Sequence, residues 1–154
     1  MSSDLWRFAE GFYQRPEVEQ ACLTLQGLGS DVCLLLCAAW LGRRGVAYNP
    51  DHAEKMRLLA RPWQHGVVTA LRQVRMDWRA AANNDSELAL LREQVKRLEV
   101  EAERIQLQRL AALMAGWPDG AEETLTAWLQ GMAPVLNETG RDALEQLRIA
   151  ALYR

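Results

Sequence analysis

The 154-residue sequence is poor in the features that announce most chemistries. It has two histidines, His52 and His65, and three cysteines, Cys22, Cys33 and Cys37, with no HExxH, ExxH or CxxC spacing around them. No metal site and no cofactor is therefore expected. GxSxG, GxGxxG and GxxxxGK[ST] are absent as well, which leaves the common nucleophile-elbow and phosphate-loop enzymes without support. No stretch alternates β-branched and polar residues, so a sheet is excluded. The longest uncharged apolar run, Val32 to Leu41, is about half of what a bilayer span requires. No membrane segment is expected. The start of the chain lacks a cationic stretch followed by an apolar one, and an odd number of thiols in apolar surroundings fits a reducing compartment. A cytoplasmic protein is the expectation.

Helix signals fill the space that strands leave empty. Leu5, Phe8, Ala9 and Phe12 share one helical face from about Asp4 to Gln14. Pro16 sits in the first turn of a second helix that Gly27 and Gly29 close. Ser30 is the expected cap of a central buried helix, about 30–44, with Asp31 in its first turn and Arg43 and Arg44 near its C-terminal dipole. Asn49-Pro50-Asp51 starts a short helix through Ala60, and Pro62 starts another to about Ala82. That second helix carries Trp63, Val67, Leu71, Val74 and Trp78 on one side, and Arg61, His65, Arg72, Arg75 and Arg79 on the other.

After Asn83-Asn84-Asp85-Ser86 the composition shifts to Leu, Glu, Arg, Gln and Ala. Leu88, Leu91, Val95, Leu98, Ala102 and Ile105 recur at alternating spacings of three and four, the pattern of a coiled-coil seam that falters at Arg109. A helix over 86–115 would be about 45 Å long. Further helices are expected from about Gly120 to Asn137, using Leu125, Trp128, Leu129, Met132 and Val135 with a disturbance at Pro134, and from about Thr139 onward. The predicted fold is an all-α, compact multi-helix bundle. Residues 1–82 form its helical core, and 83–154 add the long helix and a C-terminal helical hairpin, packed on the core or extending from it.

Leu5-Trp6-x-Phe8-Ala9, Val18-Glu19-x-Ala21-Cys22-Leu23 and Asp31-Val32-x-Leu34-Leu35-Leu36 with Trp40-Leu41-Gly42 together resemble a family of uncharacterised bacterial proteins of similar length, a domain of unknown function. The resemblance covers roughly residues 4–80. It implies a bacterial cytoplasmic protein and carries over no catalytic residue, because the family has no assigned activity.

Three features remain as candidate sites. Cys33 and Cys37 lie one helical turn apart, a redox or soft-metal arrangement in principle, but their Leu and Ala neighbours read as core. Arg61, Arg72, Arg75 and Arg79 align as an anion-binding face for RNA or another polyanion, or are satisfied by the acidic second half of the chain. The charge balance is +2 over residues 1–82 (10 Lys/Arg, 8 Asp/Glu) and −4 over 83–154 (8 and 12). Such values do not mark a general nucleic-acid binder. Glu99, Glu101 and Glu103 read as a solvated face. Leu88, Leu91, Val95, Leu98 and Ile105 give the strongest interaction signal: they pack back on residues 120–152 or pair with another chain. The expected function is that of a non-enzymatic interaction or scaffold protein acting through protein contact, with a protein partner or a homo-oligomer.

Overall fold

Asp31, rather than Ser30, caps the central helix: its carboxylate accepts from the Leu34 amide at 3.3 Å while Ser30 is tucked inside. The structure, a computed structural model, describes residues 3–133 and 136–152. The helix begun by Asp31, α3 (Val32–Arg44), ends at Gly45, which adopts the left-handed conformation at φ 73° that glycine accepts without steric cost. Val32 to Ala39 and Leu41 are buried, so no face of α3 other than its last turn reaches water.

Covering such a helix requires neighbours on every side. They are α1 (Ser3–Tyr13), α2 (Pro16–Gly27), α4 (Pro50–Trp63), α7 (Ser86–Met114), α8 (Leu125–Met132) and α9 (Glu138–Leu152), with α5 (Thr69–Asp77) and α6 (Arg79–Ala82) outside this shell. α8 lies along α3 and α9 along α2. The chain is therefore a compact all-α bundle, with no strand among the described residues. Gly42 permits the α3–α8 approach, because a Cβ there would stand 2.5 Å from the Leu125 backbone Cα.

Pro62 does not start a new helix. The path from Pro50 runs on through it, and the chain inserts a π-helical turn, Gln64–Val68, before α5 continues. Proline lacks the N–H that an α-helical ladder needs, and a wider turn next to it absorbs the resulting misfit. The continuity breaks later, at Trp78, which separates α5 from α6.

α7 turns back at Asn83–Asp85, capped by Asp85 to the Leu88 amide at 3.1 Å, and runs antiparallel to α5 and α4. Three contacts fix that direction: Arg92 Nε donates to the Arg75 carbonyl, Glu99 meets Arg72 and Arg75, and Trp63 Nε1 donates to the Ala102 carbonyl. Among the described residues α7 packs on the segment that precedes it rather than in the expected hairpin with residues 120–152. Arg109, where the seam falters, stacks its guanidinium 4.1 Å from the Trp63 ring.

α8 starts at Leu125, later than the expected Gly120, because Gly116 and Gly120 both take positive φ and Ala121 donates to the Gly45 carbonyl at 2.7 Å. Trp128, fully buried, donates through Nε1 to the Val46 carbonyl at 2.7 Å and stacks near Trp117, which in turn stacks on His52 at 3.9 Å. His52 is thus half-buried. Pro134 and Val135 lie outside the described residues. Trp128 is the fully buried tryptophan; Trp6, Trp40 and Trp63 lie at the core's edge, each under an arginine.

Gly42→Ala is expected to destabilise the fold by about 1–3 kcal/mol, since the added methyl meets backbone. Gly27→Ala, with open space at its Cβ, should be neutral or stabilising. Urea denaturation of the two variants checks the contrast.

Candidate functional site: the polar face of the long helix

The inward face of α7 is not the predicted seam. Leu88, Val95 and Ala102 point inward as expected, but the second inward column is Arg92, Glu99 and Gln106. Columns 91/98/105 and 92/99/106 flank the first column on opposite sides, so turning one inward turns the other out. Leu91 and Leu98 are accordingly 47% and 55% exposed, and Ile105 is half-buried.

Polar partners on α5 explain the rotation. Glu99, almost fully buried, accepts from Arg75 Nε at 2.6 Å and Nη2 at 3.3 Å, and from Arg72 Nε at 3.2 Å. One carboxylate thus holds two guanidiniums, a geometry suited to arginine's planar fork. Glu99 raises the Arg75 pKa through this hydrogen bond. Gln106, deeper in, donates to Asp31 Oδ2 at 3.0 Å and ties α7 to the start of α3.

The expected arginine face therefore divides. Arg72 and Arg75 are half-buried and engaged by Glu99, while Arg61 and Arg79 remain exposed. Glu99 and Glu103 are not the solvated face that their spacing indicated. Burial first, and then the neighbouring Glu99 charge, push the Glu103 carboxyl up to about 7. Burial likewise raises the Tyr13 hydroxyl to about 12. The signal that could have located this network is the polar column 92/99/106, repeating every seven residues opposite Arg72 and Arg75.

Two cavities open beside the network. One, of about 470 Å³, lies between α1, α3 and α7; Ala9, Val32, Leu36 and Leu107 give it an apolar wall, and Glu103 and Arg75 a charged one. The other, of about 590 Å³, lies between the end of α2, the start of α3, α4 and the π-helical turn. Arg72 and Gln26 line both. Cys33 borders the first cavity, but Cys22, Cys33 and Cys37 are all buried free thiols. Burial raises each above its ordinary range, Cys22 to about 12, so reactive thiolate is suppressed. Among the described residues no group of three or more His, Cys, Asp or Glu is placed to hold a metal ion, and no helix is long and apolar enough to cross a membrane.

Fold and site together define a helical bundle with a two-helix arm, α5–α6 and the first half of α7, pinned at its root by an arginine–glutamate cluster. The chain belongs to a family described as a protein of unknown function (DUF2390), which matches residues 4–110. That match runs past the resembling segments and takes in α7 as far as Leu110, so the arm and its polar root lie within the family's span. No curated protein and no solved structure matches the chain.

Glu103 gives a pH signature. Its folded pKa lies above the ordinary 4.5, so the native state holds its proton more tightly than the unfolded chain does. The stability this contributes is complete below pH 4.5 and is lost as pH rises toward 7, by about 1–3 kcal/mol. Glu103→Gln should flatten that part of the stability–pH curve and leave the variant more stable than wild type above pH 7, as measured by denaturant unfolding across pH.

Proposed function

We propose that this protein is a non-enzymatic helical interaction protein of the bacterial cytoplasm that works by docking its arm on helices of another polypeptide chain. The observation that carries the proposal is the arm's exposure. Among the described residues 69–98, Val95 alone is buried, while Met76, Leu90, Leu91 and Leu98 are 54%, 69%, 47% and 55% exposed. Two helices cannot enclose a core between them, and completing a bundle of four would cover the column 91/98 as an ordinary coiled-coil position.

The occupant that fits is the arm of a second copy. Residues 69–98 carry six cationic and four anionic side chains, and Glu99 at the root adds a fifth, so two arms offer both signs to each other. A twofold pairing makes the same patch serve both sides. Nucleic-acid binding through Arg72, Arg75 and Arg79 has less support, because Glu99 already engages two of the three.

Light scattering and sedimentation across a concentration series are expected to show a dimer. Leu91→Glu combined with Leu98→Glu should give a monomer whose helicity and thermal unfolding match those of the wild-type protomer. A wild-type chain that stays monomeric at every concentration, with amide exchange in the arm independent of concentration, would remove the proposal.

A further inference from the structure

The cavity at the start of α3 has a chemistry that neither the arm nor its docking uses. Arg57, Arg61, Arg72 and His65 line it, and Asp31 is its one carboxylate. Arg57 donates to the Gly131 carbonyl at 2.7 Å, and Arg72 spends its Nε on Glu99. Arg61 has no hydrogen-bond or ion-pair partner among the described residues, leaving its fork of donors unused.

A second observation points into the same space. Ser30 is 6% exposed, lines the cavity, and its hydroxyl has no hydrogen-bond partner. The side-chain oxygen of Gln64, on the π-helical turn across from it, is likewise buried without one, and as an acceptor it suits a donor on the ligand's body rather than its anionic group. Buried hydroxyls and amides almost always find partners, and π-helical turns recur at functional positions. Asp31 offsets only one of the three arginines that line the cavity, and the Leu34 amide and Gln106 already hold its carboxylate with hydrogen bonds. The positive end of α3 opens at the same place.

We propose that this cavity is a binding site for a metabolite-sized oxyanion, a phosphate monoester or a carboxylate, gripped by the Arg61 and Arg72 guanidiniums with the Ser30 hydroxyl donating to it. The volume of about 590 Å³ suits a small organic molecule rather than a polymer, and Leu34 and Met132 offer its body an apolar wall.

The test uses the full chain with inorganic phosphate, a short phosphate monoester and succinate as separate titrants, against chloride at equal ionic strength. NMR shift changes are expected to saturate and to centre on Ser30, Gln64 and His65. Whichever of the phosphate and carboxylate arms binds more tightly identifies the head group. Arg61→Ala and Ser30→Ala should each weaken binding about tenfold or more, whereas Arg79→Ala, exposed on the arm, should leave it unchanged. Arg61 is exposed and has no partner among the described residues, so its variant is expected to stay folded, and unchanged circular dichroism checks this. No saturable shift with any titrant, or equal losses in Arg61→Ala and Arg79→Ala, overturns the proposal. Binding in a monomeric Leu91→Glu, Leu98→Glu variant separates this site from the arm.

Discussion

Glu99 is a carboxylate held out of water by two arginines, and its placement decides how α7 is rotated. Removing the Glu99 carboxylate would leave two guanidiniums uncompensated at the arm's root, whereas removing either arginine would leave Glu99 paired with the other. No rotation that turned Glu99 to solvent could keep Arg72 and Arg75 satisfied where they lie. An apolar seam is indifferent to small rotations, whereas a forked ion pair is not. The cluster fixes which leucines are covered and which are left bare.

Much of the architecture was legible because its signals are local. The uncharged run of α3, the helix start at Asn49-Pro50-Asp51, the glycines that close α2 and the shift in composition after Ser86 each act within a few residues of where they are written. Signals that depend on a distant partner were harder to read. Ser30 and Asp31 are both good caps, and the choice between them rests on Gln106, seventy-five residues away, which holds the Asp31 carboxylate. Pro62 carries the local mark of a helix start, yet its neighbours accommodate it inside a continuous helix.

The candidate site divides in the same way. That Arg72 and Arg75 seek an anion follows from their spacing; that the anion is Glu99 does not, because a glutamate on a long polar helix looks like any other solvated one. Leu88, Val95 and Ala102 belong equally to the seam the apolar pattern describes and to the face the fold uses. Only the second column distinguishes the two, and hydrophobicity alone favours the wrong one.

The π-helical turn at Gln64–Val68 acts as a phase shifter. It holds one residue more than an α-helix would need for the same advance, so each residue beyond it takes the place its predecessor would have in a plain helix, about 100° back round the axis. Drawing that turn into a plain α-helix without removing a residue would swing Arg72 and Arg75 away from Glu99. Removing one residue from the turn would instead absorb the surplus and leave the arm aimed as it is, whereas the same deletion within α5 would rotate the residues beyond it by about 100°.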